Sequence, residues 1–325
     1  MPYEIVYCLW SHALGKRYPG RCHRCFLYPC LLPSKFGCRG KYRGVFVGSP
    51  RFDVSDHAMP VAKPLSFAFC NVSVAPVRAE PSHRAEQTTQ LLFGERVAVL
   101  EHAAEEWIRI RCLNDDYEGW CRSMHTEEIS KRHSKAHNKA LAAGDDDRLR
   151  FEESDMWLPA GAELFGLKGG KIAVLGNVGK FKGKRLLVKD ATPDEAFFRH
   201  WVKHYLNAPY LWGGRTRAGI DCSGLSQVIL KLGGIDIPRD AWQQAESGEP
   251  VSFLQEARVG DLAFFDNAEG RIIHVGIMLD NSTIAHATDS AGRVVIDKVD
   301  NGGIVSRLLR KRTHQLRLIK RYFTV

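Results

Sequence analysis

The chain has 325 residues, 44% of them apolar and 26% charged, which gives length for two or three domains and too much apolar content for a wholly disordered chain. No run of about 18 apolar residues is present, so no membrane-spanning helix is expected. The net charge of +9 is uneven: residues 1–58 hold nine Lys/Arg against three acids, and residues 307–321 hold seven basic residues and no acid. No aromatic-rich recognition motif accompanies either stretch, so nucleic acid is not expected as a partner.

Residues 1–58 are rich in Cys, Tyr, Pro and Arg and show neither helical nor strand periodicity. Cys22-His23-Arg24-Cys25 with Cys30 and Cys38 lacks the second closely spaced ligand pair of a zinc knuckle, and no metal or other cofactor is expected. The apolar run at 26–32 is short and broken by Pro29, so no export signal is read and a cytoplasmic location is expected. The segment reads as a disordered extension, or as sequence upstream of a working start at Met59. The remaining cysteines, Cys70, Cys112, Cys121 and Cys222, are too dispersed for a disulfide framework.

From residue 66 short strands follow one another at 72–77, 96–101, 107–112 and 117–121, with a turn at Asn114-Asp115-Asp116 and an edge position suggested by Pro76. This spacing predicts a small β-barrel over 66–125. Leu92-Phe93-Gly94 before Arg96–Leu100 is echoed by Leu164-Phe165-Gly166 before Lys171–Leu175, so 126–190 is expected to hold a charged, helical or irregular connector and a second barrel.

The third unit, 191–325, opens with Thr192 as the expected helix cap, Pro193 in the first turn and Glu195 two residues on. Phe198, Trp201, Val202, Tyr205 and Leu206 recur at helical spacing. A second helix presents Leu225, Val228, Ile229 and Leu232 and stops at Gly233-Gly234. Strands are expected at 262–265, 272–279, 283–288, 294–299 and 316–323, an α+β arrangement.

Chemistry converges on Cys222. Asp221-Cys222-Ser223-Gly224 sits where a loop becomes a helix, so the thiol is expected to feel the positive helix end and be favoured as thiolate, with backbone N–H groups free for an oxyanion. His274 and His286 fall on consecutive strands that can place the imidazoles side by side, one orienting the other. The pairs His200/His204 and His133/His137 lack the glutamate of a zinc-peptidase helix and are expected to face solvent; Gly169-Gly170-Lys171 reads as a turn.

These residues carry a resemblance. Pro209-Tyr210-Leu211-Trp212-Gly213-Gly214-Arg215-Thr216, Gly219-Ile220-Asp221-Cys222-Ser223-Gly224-Leu225, Pro238-Arg239-Asp240, Gly260-Asp261-Leu262, His274-Val275-Gly276 and Ile284-Ala285-His286-Ala287 resemble the papain-like catalytic domain of NlpC/p60 cysteine peptidases. Residues from Val77 to Glu95 and Tyr117-Glu118-Gly119-Trp120 resemble the SH3-like domain of γ-D-glutamyl-L-diamino-acid endopeptidases. The resemblance implies two small SH3-like barrels before the catalytic domain, and removal of L-Ala-γ-D-Glu from the free amino end of murein peptides during wall-peptide recycling. It implies Cys222 as nucleophile, His274 as base, His286 as orienter and Tyr210 beside the thiol. It further implies Asp221 and Ser223 facing the amino-terminal part of the substrate, with Glu86 and Tyr117 closing that end. A non-catalytic wall-binding protein and a hydrolase of intact peptidoglycan are the alternative functions; oligomeric state is not indicated.

Overall fold

The computed structural model describes residues 63–136 and 140–323. The expectations for residues 1–58, with their five cysteines, and for His137 lie outside the described residues. Among the described residues no helix is long and apolar enough to cross a membrane.

The first barrel is built from β1 (Ser66–Cys70), β2 (Val74–Arg78), β3 (Gln87–Leu92), β4 (Arg96–Ala103), β5 (Trp107–Cys112), β6 (Glu118–Arg122) and β7 (Thr126–Ile129). They pair antiparallel in the order β3-β2-β6-β5-β4-β1-β7. Alternation turns Ala75, Val77, Val97, Ile108, Ile110 and Cys121 inward to a core of their own. Pro76 is tolerated because β2 meets β6 only at Arg78↔Trp120, so most of the strand has a single ladder. The barrel runs past residue 125: β7 pairs Glu127 and Glu128 with Phe69 and Ala68, where the charged sequence suggested a connector. Two acids on an outer strand hide its periodicity, while β1 supplies the hydrogen bonds that keep it extended.

A single helical turn, α1 (Lys131–Ser134), leads into a smaller β unit. Its strands β8 (Ala140–Ala142), β9 (Arg148–Arg150), β10 (Asp155–Trp157), β11 (Lys171–Val174), β12 (Asn177–Lys182) and β13 (Arg185–Leu187) form a four-stranded and a two-stranded sheet. Gly94 and Gly166, the echoed glycines, both adopt positive φ before a strand. At Gly94 this is obligatory, since a Cβ there would lie 1.9 Å from the Glu163 carbonyl oxygen. Unlike the first barrel, this unit has no separate core: Leu141, Leu149, Leu158 and Ile172 belong to the same cluster as Phe198, Leu225 and Phe264.

The third unit begins with α2 (Glu195–Tyr205). Its cap is Asp194 rather than Thr192, because the Asp194 carboxylate accepts from Phe197 N at 2.8 Å. After β14 (Arg215–Thr216) and β15 (Gly219–Ile220) comes α3 (Cys222–Leu232), buried on all sides. The short α4 (Ala241–Glu246) precedes β16 (Glu249–Val251), β17 (Leu262–Asp266), β18 (Ile272–Met278), β19 (Thr283–Thr288), β20 (Arg293–Asp300), β21 (Gly303–Ser306) and β22 (Lys311–Arg321). They form one antiparallel sheet in the order β16-β22-β17-β18-β19-β20-β21, with α3 packed across β18 and β19.

A buried charge cluster docks the three units. Glu95 of the first barrel accepts from Arg215 Nη1 and Nη2 at 2.6 and 2.8 Å and from Lys231 Nζ of α3 at 2.6 Å. Lys231 also meets Glu163 of the smaller unit at 3.0 Å, and Arg215 Nη1 donates to the Gln90 carbonyl at 2.7 Å. Burial alone would raise the Glu95 pKa, but Arg215 and Lys231 outweigh it and hold it at about 2. Glu95→Gln leaves the buried Arg215 without its counter-charge and Lys231 with Glu163 alone, and is expected to cost about 3–5 kcal/mol. The contribution of Glu95 is complete above its unfolded value near 4.5 and is lost as pH falls towards 2. Urea titrations of both proteins at pH 7 and pH 3 should therefore show the gap closing at the lower pH.

Candidate active site

Asp221 sets the local geometry. Its backbone is extended, so its Oδ1 can fold back to accept from Gly224 N at 2.7 Å and cap α3. Its Oδ2 accepts from Gly213 N at 2.8 Å and from Arg239 Nη2 at 2.6 Å. Arg239, 1% exposed, also donates through Nη1 to Ser223 Oγ at 2.7 Å and through Nε to Thr89 Oγ1 of β3 at 2.9 Å. Asp221 and Ser223 both line the cavity beside Cys222, with the Asp221 carboxylate buried and paired with the Arg239 guanidinium. Ser223 likewise lies against the same guanidinium.

Cys222 opens α3, but the resting thiolate expected from that placement does not follow. Asp221 already occupies the cap, and burial, with the Asp221 charge next in size, pushes the thiol up to about 12. The resting sulfur is protonated and requires a base.

His274 on β18 and His286 on β19 supply one. The two strands pair only at Ile277↔Ala285 and Met278↔Ile284 and part beyond, where the rings meet: His274 Nε2 lies 2.8 Å from His286 Nδ1. Sequence reasoning missed the next member, Asp297 of β20, whose Oδ2 lies 3.2 Å from His286 Nε2. Burial works against the Asp297 charge, but the hydrogen bonds from His286 and from Arg307 N outweigh it and its pKa is lowered. An ionised Asp297 accepts a hydrogen bond from Nε2–H of His286, which leaves His286 Nδ1 an acceptor for the Nε2–H of His274. His274 Nδ1 is then the free lone pair. Burial, with His286 and His314 beside it, holds the His274 pKa well below 6.5, so the ring is neutral.

His314 of β22, also missed, stacks on His274 with ring centroids 4.1 Å apart and 20° between planes. Burial and His286 depress its pKa to about 4, so it adds no charge beside the base. One nitrogen from each of the three histidines falls within 4.8 Å of the others, a donor set of the kind that binds zinc. The 274–286 contact, however, is already a hydrogen bond that engages His274 Nε2 and His286 Nδ1 with each other.

Two cavities of about 440 Å³ each meet at Cys222. The first is walled by Glu86, Thr88 and Tyr117 of the barrel and by Trp212, Asp240 and Trp242. Trp212 Nε1 donates to Glu86 Oε1 at 2.6 Å, and Gln87 Nε2 to the Trp212 carbonyl at 3.1 Å. Gly213 beside it has φ +72°, and a Cβ there would sit 2.5 Å from the Gln87 carbonyl oxygen. Tyr117 and Trp242 hydrogen-bond to Asp240, whose pKa is raised by burial. The second cavity is lined by Tyr210, His274, Asp289, Lys311 and His314. Burial, then Cys222 and Asp221, raise the Tyr210 pKa, so its hydroxyl stays protonated. Of the histidine pairs set aside earlier, His200 and His133 are exposed, whereas the His204 side chain is 9% exposed and lies 2.8 Å from Asp145, so it does not face solvent as expected.

Residues 207–313 match the NlpC/P60 family, and residues 77–125 match the bacterial dipeptidyl-peptidase Sh3 domain. The chain carries an NlpC/P60 domain and is a cysteine peptidase. It is 29% identical over 232 residues to the gamma-D-glutamyl-L-lysine dipeptidyl-peptidase of Bacillus subtilis (strain 168), covering 64% of this chain and 74% of that protein. It is 26% identical over 251 residues to dipeptidyl-peptidase 6 of Lysinibacillus sphaericus, covering 70% and 89%. The crystal structure of an NlpC/P60 family protein from Bacillus cereus ATCC 10987 shares the fold, with TM-score 0.65 and 19% identity over 79% of this chain and 99% of that one.

A neutral His274 is the form that can accept a proton. For this peptidase kcat/KM should therefore stay level as pH falls through 6.5 and decline only below it. A pH–rate profile with its acid limb centred at or above 6.5 would contradict the buried, neutral base.

Proposed function

We propose that the protein hydrolyses the bond between γ-D-glutamate and a diamino acid in murein peptides that begin with a free L-Ala, in the cytoplasm, as part of wall-peptide recycling. The observation that carries this reading is the first cavity, roofed by the barrel and furnished with the carboxylates of Glu86 and Asp240. A roofed cavity admits a short chain end and excludes a peptide that continues into glycan. An ammonium desolvated on binding needs a counter-charge. Glu86 keeps Oε2 beyond its bond to Trp212, and Asp240 takes the part that Asp221, held by Arg239, does not. The names of the two relatives, both dipeptidyl-peptidases, support the same polarity.

In this reading the Cys222 Sγ proton passes to His274 Nδ1 as sulfur attacks the γ-glutamyl carbonyl carbon. The Tyr210 hydroxyl donates to the oxyanion. When the C–N bond breaks, His274 returns the proton to the departing amine, leaving a thioester that water hydrolyses. His286 and Asp297 hold the His274 tautomer throughout.

Mass spectrometry of L-Ala-γ-D-Glu-L-Lys digests is expected to show L-Ala-γ-D-Glu and free lysine, and no product with Cys222→Ala. His274→Ala should cost about 100-fold or more, and more than His286→Ala. His286→Asn, which can keep a hydrogen bond, should retain more activity than His286→Ala. The N-acetylated tripeptide should be cut at least about 100-fold less well, because blocking the amine leaves the carboxylates unpaired. Equal cleavage of the free and acetylated peptides would remove the barrel from substrate selection.

A further inference from the structure

We infer that the second cavity is a charge-reading subsite for the departing diamino acid, in which Asp289 pairs with the side-chain ammonium and Lys311 with a carboxylate of the same residue. The inference rests on the activity proposed above and adds which part of the substrate is read on the far side of the scissile bond, and by what.

The assignment of sides follows from proton transfer. The departing amine must collect its proton from the group that took it from the thiol, so it has to lie beside His274. His274 lines the second cavity and does not line the first. The residue that leaves therefore occupies the second cavity.

The charges there are complementary to a diamino acid. Besides the neutral base His274, four side chains on its wall carry charge or potential charge: Asp289, Lys311, Arg312 and His314. Arg312 is spent on Asp300, with Nη1–Oδ1 2.6 Å and Nη2–Oδ2 2.9 Å. His314 is neutral, as argued above. Asp289 and Lys311 are exposed, and among the described residues neither side chain has a hydrogen bond or ion pair. One free anion and one free cation thus remain. A neutral aliphatic leaving group would satisfy neither, whereas an amino acid bearing a second ammonium and a carboxylate satisfies both.

Both groups stand on the framework that holds the histidines. Asp289 begins the short 3-10 turn Asp289–Ala291 directly after β19, three residues beyond His286. That turn closes at Gly292, whose carbonyl accepts from Tyr210 N at 2.8 Å, and the Asp289 charge reaches the Tyr210 hydroxyl. Lys311 opens β22, three residues before His314. The distance between the charge-reading pair and the reacting atoms is therefore set by two strands rather than by a free loop.

The test compares kcat/KM for L-Ala-γ-D-Glu-L-Lys with that for the same peptide ending in norleucine, which replaces the side-chain ammonium by a methyl group. Wild-type protein is expected to prefer lysine by a factor of about 3 to 5, the range of solvated ion pairs. In Asp289→Asn the preference should fall close to one. In Lys311→Gln the preference for lysine should persist, while the advantage of the free C-terminal acid over its amide is lost. Cleavage of both peptides with an unchanged lysine/norleucine ratio in Asp289→Asn would overturn the subsite and leave the proposed activity standing. Failure to cut any of these tripeptides would overturn that activity, and the subsite with it.

Discussion

The buried carboxylate of Glu95 is the constraint on which the rest of the active region depends. It is contributed by the barrel but neutralised by Arg215, on the short strand β14 that precedes Cys222, and by Lys231, on the helix that Cys222 begins. An ion pair taken out of water is a weak source of net stability but a strict condition on geometry, since neither partner can be left alone. Here the condition binds separate folding units. It seats the barrel where Glu86, Thr88 and Tyr117 become walls of a cavity that the peptidase domain does not enclose by itself. Arg239 repeats the device nearer the chemistry, joining Thr89 of the barrel to Asp221 and Ser223 beside the thiol.

The neutral state of the reactive pair follows from the same enclosure. Burial raises the Cys222 thiol and lowers the His274 imidazole, so both move away from an ion pair. An uncharged pair needs no solvent to support it and can sit under a roof. The charge then appears only as the sulfur attacks, where the Tyr210 hydroxyl and the chain through His286 to Asp297 are already in place to receive it.

Much of this was legible in the sequence because it is local. Cys222 at a helix start, and His274 and His286 within strands, follow from patterns a few residues long, and β19 and α3 fall where periodicity puts them. What was not legible is contact between distant segments. Asp297 looks like any acid on a strand until β20 is registered against β19 so that Ile284 faces it, on the ladder where His286 faces Val295. His314 is one polar residue in a basic run until β22 crosses behind β18 through β17. Arg239 and Asp240 could be quoted as part of a motif, but only the fold shows that one cancels Asp221 and that the other remains as the acid in the cavity. The acidic strand β7 was hidden because its extended form is imposed by a neighbour and not by its own alternation.

The two β units before the peptidase domain differ in how far they are separable in evolution. The barrel carries an interior of its own but also lends Phe69, Leu92 and Phe93 to the shared core, so its attachment combines apolar packing with buried charges and the Trp212–Glu86 bond. The smaller unit shares its apolar interior with α2, α3 and the sheet. Removing it would open the peptidase domain to water. It is inherited as part of that domain, and insertions or losses in it are filtered by folding rather than by substrate.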